Sequence, residues 1–558
     1  MKIRDNKGSI TIFVLVGLLF MTGFLIISFG SNINKSKIAK EQLNILSSIY
    51  SRGDGDASAY ERAYTTIRRK NAQILTESSN NSSSLELTKT FTDKVSNYKI
   101  YGNSVQNGTP SPTNPVEIQS VGEKTRNLFD KDNINLTLHK VNLRTSTISP
   151  NSTLVLQPNT YKLTIFTSNA INIKYKFMYS ILITQGGKNQ EIYLESSSVS
   201  TNGVFTVDQE TTIRGIYVFL SSSDNNTAQI TIDKIQLEEG NVATEYEPYG
   251  KYKIPVKVSG KNLFDINASV NAPSGTFNNV TVPNLLTLYL KPNTAYTLSS
   301  NQNGDTTAEP SDIYRSLYFN GVSNSNAVFN GHSVTATTDD TGKLQIILFS
   351  QRTNAENIVN KTAKIQLEEG STATDYEPYV EPVTTNIYLD EPLRKVGGHA
   401  DYIDFSTGTV ERVVNKEVFD GTETWQKSSS VENRYLIYSI KPYTTSITTP
   451  KILCDRLISN GKREVGTIDL SYTLGNPSGR QLIFGMEFET LDEFKQYVVD
   501  EYNSGTPMYI LYALYEEDDP ETIDLPELKT FEDYTKVEVL TEVAPSKIEA
   551  TYYGYTME

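Results

Sequence analysis

The chain has 558 residues, with 65 Asp and Glu against 51 Lys and Arg and a net charge of −14. That balance excludes a nucleic-acid binder, which needs a basic face. The lone Cys454 excludes an intrachain disulfide and a cysteine metal cluster, and is expected as a small apolar residue in the strand ending Lys451-Ile452-Leu453-Cys454.

Lys2, Arg4 and Lys7 precede an uncharged run from Ile10 to Phe29, in which only Thr11, Thr22 and Ser28 are polar. Twenty helical residues at about 1.5 Å each span a bilayer of roughly 30 Å. No small-residue cleavage site follows, so a retained single-pass anchor with its N-terminus inside is expected over residues 1–32. The segment Lys7-Gly8-Ser9-Ile10-Thr11-Ile12-Phe13-Val14 resembles the start of type IV and Tad-like pilins and minor pilins. Cleavage after Gly8 would put Phe13 where pilins carry Glu, a departure that weighs equally for an ordinary signal anchor.

A helical stalk and linker are expected over 33–84. Ala39, Leu43, Leu46 and Ile49 share one helix face, Ser51 to Asp56 break it, and a second helix is expected from about Ala57 to Leu75. Arg52-Gly53-Asp54 matches an integrin-type tripeptide but equally makes an ordinary loop. Ser78 to Ser84 reads as a polar linker.

Beyond it the chain writes one domain twice. Asn127-Leu128-Phe129-Asp130 returns as Asn262-Leu263-Phe264-Asp265. Lys234-Ile235-Gln236-Leu237-Glu238-Glu239-Gly240 returns as Lys364-Ile365-Gln366-Leu367-Glu368-Glu369-Gly370. The tails Tyr246-Glu247-Pro248-Tyr249 and Tyr376-Glu377-Pro378-Tyr379 follow. A third landmark, Pro158-Asn159-Thr160 and Pro292-Asn293-Thr294, falls between opener and closer in both. Three landmarks in one order mean duplication, in units too long for a solenoid. Clean alternation, as in Thr160 to Phe166 and Ala228 to Ile235, predicts a two-sheet sandwich for each. The domains are expected at 85–250 and 251–383.

The last domain, 384–558, is expected to be mostly β with one helix near 490–503. Thr490 and Glu493 form a capping box, Leu491, Phe494, Val498 and Tyr502 the buried face, and Met508 to Tyr515 a buried strand. The fold class is therefore mainly β: an N-terminal transmembrane helix and stalk, two tandem jelly-roll sandwiches, and a C-terminal α+β domain.

The segments Tyr101 to Pro110, Pro115 to Gly122, Asn386 to Arg394, Asp401 to Phe405 and Val418 to Trp425 resemble tail and baseplate proteins of phages of Gram-positive bacteria. So do the repeated openers, closers and tails. The resemblance covers about 95–558, and the repeats also resemble carbohydrate-binding jelly rolls. It implies host-surface recognition or tail structure, without a known reaction.

Candidate chemistry is sparse. His139, His332 and His399 lie in three different domains, and no phosphate loop or nucleophile elbow occurs. Glu238, Glu239, Glu368 and Glu369 could ligate a structural Ca²⁺, or could simply end strands at a glycine turn. Tyr246, Tyr249, Tyr376 and Tyr379 could stack on sugar rings, or pack back on their own sandwiches. Trp425 follows the Asp420-Gly421 turn and is expected at an exposed loop, as a ligand contact. These features lead to a non-enzymatic, membrane-anchored bacterial surface protein whose extracellular modules bind a surface glycan or protein receptor, with no cofactor beyond a possible Ca²⁺. The alternative is a structural subunit, pilin-like or from a prophage tail or baseplate, that packs on other chains. A cell-wall polysaccharide hydrolase is the third reading.

Overall fold

The computed structural model describes residues 73–554 apart from 88–96, 175–176, 197, 199, 278–279, 283–284, 301–315, 320–332, 350–363, 429–432, 438–451, 460–463, 473–479, 514–519, 529 and 532–533. The expected anchor at residues 10–29, the first stalk helix and the Arg52-Gly53-Asp54 tripeptide lie outside the described residues. Among the described residues no helix is long and apolar enough to cross a membrane.

The chain is mainly β, and two of its apolar cores belong to the duplicated unit. In the first copy a four-stranded sheet centres on Asn159–Ile171 and Gln229–Glu239, and a five-stranded sheet on Met178–Gln185 and Thr211–Phe219. Both are antiparallel, and the period-2 alternation sends Leu163, Ile235 and Leu237 inward from one sheet and Ile181, Ile216 and Val218 from the other. The second copy repeats the plan with smaller sheets centred on Ala295–Ser300 and Lys343–Phe349, around Leu298, Leu344, Ile346 and Leu367. It adds a short helix, Ile266–Val270, that the strand pattern did not announce; Asp265 caps it by accepting from Asn267 N at 2.8 Å.

A third core changes the domain plan. One sheet runs in the order Gln73–Asn80, Lys547–Gly554, Asn97–Tyr101, Tyr402–Asp404, Thr409–Glu411, Glu521–Thr522. The other runs Ser84–Leu87, Thr535–Val539, Tyr252–Ser259, Val383–Leu389, with Glu123–Lys124 also on Tyr252–Ser259. Leu85, Leu87, Ile254, Val256, Ile387 and Val537 from the second sheet pack with Tyr98, Ile100, Ile403, Val410 and Ile548 from the first. Residues assigned to three successive domains therefore share one hub sandwich. The expected boundaries at 85–250, 251–383 and 384–558 are replaced by a hub carrying three inserted modules.

Each module leaves and re-enters the hub through paired strands. The first copy lies between Lys124 and Tyr252, which are register partners, and Thr125 N donates to Lys251 O at 2.9 Å. The second lies between Val258 and Val383, also partners. The third lies between Thr409–Glu411 and Glu521–Thr522. Modules whose ends meet can be inserted into a hairpin without disturbing its strands.

Of the second expected stalk helix, residues 57–72 lie outside the described residues; its end at Gln73 to Leu75 and the linker at Ser78 to Ser84 are corrected. Gln73–Asn80 pairs antiparallel with Lys547–Gly554, from Gln73↔Gly554 to Asn80↔Lys547. Backbone pairing at a sheet edge asks little of the side chains, so a Ser- and Asn-rich segment can serve as a strand.

The third module surrounds Phe419, Trp425, Tyr435, Phe484 and Phe494. Its helix, Leu491–Asn503, is capped as expected by Thr490, whose Oγ accepts from Glu493 N at 3.2 Å. Phe494 and Val498 are buried, whereas Tyr502, expected inside, is 47% exposed on the last turn. Cys454 is buried in the Ile452–Cys454 strand, and burial pushes its thiol up.

Candidate functional site

The duplicated landmarks meet in space and satisfy one another. Asn127 Nδ2 donates to Ile235 O at 3.2 Å, and its Oδ1 accepts from Phe129 N at 3.0 Å and Leu237 N at 3.1 Å. Asn262 repeats this with Ile365 O, Phe264 N and Leu367 N at 2.9, 2.9 and 3.1 Å. Gln236 Nε2 donates to Glu238 Oε1 at 2.9 Å, and Gln236 Oε1 accepts from Glu247 N at 2.7 Å. Gln366, Glu368 and Glu377 do the same at 2.8 and 2.8 Å. Opener, closer and tail are thus one buried polar clasp, written twice.

The clasp occupies two of the candidate calcium ligands. Glu238 is 1% exposed and also accepts from Thr244 N at 3.1 Å and Thr244 Oγ at 2.7 Å. Glu368 is 2% exposed and accepts the same bonds from Thr374 at 2.9 and 2.6 Å. These partners are donors, which a cation would have to displace. Glu239 is exposed and accepts from Asn159 Nδ2 at 3.3 Å. Glu369 meets Lys536 of the hub at 2.7 Å and Lys291 at 3.2 Å; burial opposes its charge, but the two ammoniums hold its carboxyl below the usual range. Among the described residues no group of three His, Cys, Asp or Glu is placed to hold a metal ion.

The four tail tyrosines lie against their own modules to different degrees. Tyr246 packs edge-on to Phe166 at 5.5 Å under the Lys234 ammonium at 4.4 Å, and its hydroxyl donates to Asp132. Tyr376 is half-buried with Lys364 at 5.6 Å from its ring centre, and burial raises the half-buried Tyr379. Tyr249 alone is open, at 41%. The structure does not bring these rings together into one site.

Trp425 is a correction. It is 3% exposed, with its ring 5.4, 5.0 and 4.8 Å from Phe419, Phe484 and Phe494, and its Nε1 donates to Glu423 at 2.9 Å. The turn before it is real, but the chain enters the strand Trp425–Lys427 at once, and the indole phase of that strand faces the core. No face of the ring is left for a ligand.

The outer face of the first module holds a group that sequence reasoning missed. Ser180 is the register partner of Tyr193 on one side and of Tyr217 on the other, with Thr147 next beyond. A shift in register between Tyr179 and Ser180 sets this row. Ile181, Ile216 and Val218 point to the core, so the row points away from it. Across two strand spacings the tyrosines stand about 9–10 Å apart at the backbone, with a small serine between them. Tyr193 is 47% exposed, and Tyr217 stacks on Phe219 at 5.5 Å. Ser180 is fully buried and its Oγ donates to Glu191 Oε1 at 2.5 Å. The Glu191 charge, with smaller contributions from desolvation, from the phenol's hydrogen bond to Glu191 and from Tyr217, raises the Tyr193 phenol above its ordinary value. The result is a surface row in which two tyrosines flank a fully buried serine beside the exposed Glu191 carboxylate. Its one signal in the sequence is an aromatic at the solvent phase of two alternating strands, Glu191-Ile192-Tyr193 and Tyr217-Val218-Phe219.

The second module lacks this row. Ile347 stands as far before Gln366 as Tyr217 does before Gln236; it is 5% exposed and its register partner is Tyr318, not a serine. A separate cavity of about 310 Å³ lies where hub and third module meet, lined by Arg394, Lys416 and Lys124 and by Glu117, Glu123 and Glu542. Its charges balance, and Arg394 is engaged by Glu391 at 2.7 Å. No known protein family, no curated protein and no solved structure matches this chain.

Proposed function

We propose that the protein is a non-enzymatic, membrane-anchored surface protein that binds a glycan through the first module. The observation that carries this reading is the Tyr193–Ser180–Tyr217 row: one exposed and one half-buried tyrosine on the outer face of the sheet, with the exposed Glu191 carboxylate beside them. Ring faces suit the C–H face of a pyranose, and Glu191 and the phenols suit its hydroxyls. The uncharged run from Ile10 to Phe29 supports display from a bacterial membrane with the modules outside. Sugar binding falls to one module, because Ile347 and Tyr318 occupy the row in the second.

The test is a glycan array probed with the full chain in detergent, beside Tyr193→Ala and Tyr217→Ala. Loss of an aromatic stack of about 1–1.5 kcal/mol weakens binding roughly 5- to 10-fold per substitution. A chain that binds no glycan, or whose binding survives both substitutions, defeats the reading.

A further inference from the structure

We infer that the cavity between the hub and the third module is a binding site for a small zwitterion with a carboxylate and an ammonium, an α-amino acid or a dipeptide. Six charged side chains line this cavity of about 310 Å³: Arg394, Lys416, Lys124, Glu117, Glu123 and Glu542. None of them forms an ion pair with another of the six. Charges of both signs held apart around one hollow are answered by a ligand that carries both. Arg394 is 5% exposed, and its side chain makes one hydrogen bond among the described residues, from Nη1 to Glu391 at 2.7 Å. Its Nε and Nη2, the edge that grips a carboxylate with two parallel bonds, are unspent, and neither is sealed from solvent. Lys416 lies over the Tyr509 ring at 4.2 Å and makes no ion pair or hydrogen bond among the described residues. Desolvation, and next the Arg394 charge, hold its ammonium below the ordinary range. Two cations thus meet on the cavity wall with no lining carboxylate between them, which a ligand carboxylate would relieve. Glu123 and Glu542 belong to the hub side. Glu123 is the register partner of Lys253, and Leu540 N, two residues before Glu542, donates to Pro255 O on the same strand at 2.9 Å. Glu117 and Lys124 add one charge of each sign, so the lining is neutral, as a zwitterion is. Leu511, Pro392 and Val543 supply apolar lining for a side chain. The volume is at the small end of ligand pockets, which suits one or two amino-acid residues.

The experiment measures binding of leucine, alanylleucine, N-acetyl-alanylleucine and alanylleucinamide to the full chain in detergent by equilibrium dialysis. Leucine or alanylleucine should bind, and acetylation or amidation of the dipeptide, each removing one charge, should weaken it roughly 10-fold. Lys416→Gln should weaken alanylleucine and shrink the penalty of amidation, and Glu123→Gln should do the same for acetylation. Neither side chain belongs to an apolar core, so both variants should melt as wild type does. Tyr193→Ala should leave this binding unchanged, which separates it from the glycan reading. Binding of neither leucine nor alanylleucine overturns the inference, as do equal affinities for the dipeptide and its two derivatives, or wild-type binding by both variants. A penalty on amidation alone, with Glu123→Gln silent, overturns the zwitterion and marks a simple anion site.

Discussion

Glu238→Ala in the first module, with Glu368→Ala as its twin, separates a structural clasp from a calcium site. The Glu238 carboxylate accepts from Gln236 Nε2, Thr244 N and Thr244 Oγ. Gln236 keeps two other acceptors, Thr244 Oγ and Glu245 O, and Thr244 Oγ keeps a bond to Glu245 O at 3.3 Å, so truncation chiefly orphans Thr244 N. The orphaned amide and the weakened Thr244 Oγ bond together cost roughly 2–4 kcal/mol, and release of a buried charge offsets part of this, leaving about 2 kcal/mol. For a module of roughly 100–150 residues that lowers its transition by about 6–10 °C. Differential scanning calorimetry of the full chain in detergent resolves the module transitions, because modules with separate cores unfold separately. The expected result is one lowered transition per substitution, with wild type unmoved by EDTA. A wild-type transition that EDTA lowers and Ca²⁺ restores would refute the clasp, as would a substitution that moves nothing.

Two further outcomes follow from the architecture. Deleting 260–382 and joining Ser259 to Val383 through a short turn should leave the hub transition in place, because Val258 and Val383 are already partners; loss of all cooperative melting would show that the hub needs the module. In the third module, burial raises the Asp455 carboxyl from 3.8 to about 6, although Tyr509 N and Arg456 stabilise its charge. A folded pKa above the unfolded one makes the proton favour the fold, so this contribution is present below about pH 4 and is lost as pH rises to about 6. Its size is on the order of 2–3 kcal/mol. Asp455→Asn should therefore gain stability over wild type between pH 4 and pH 7 in urea titrations followed by Trp425, the only tryptophan. Parallel pH profiles would refute the assignment.

Much of the local structure was legible in the residues. The duplicated phrases marked two homologous units, and strands such as Asn159–Ile171 and Gln229–Glu239 follow from period-2 alternation between turn residues. The capped helix at Leu491–Asn503 follows from Thr490 and Glu493. All of these are decided within a few residues of chain, by propensity, turn chemistry and capping. The hub was not legible, because it pairs Gln73 with Gly554 and Tyr402 with Tyr101, and backbone pairing between distant strands leaves no periodic trace. Trp425 followed a true turn signal yet faces inward, because which phase of a short strand is buried depends on the sheet it joins. The tyrosine row has the same origin. Tyr193, Ser180 and Tyr217 are ordinary strand residues until strand order and a one-residue register shift set them side by side, so the duplication belongs to the sequence and the candidate site to the tertiary structure.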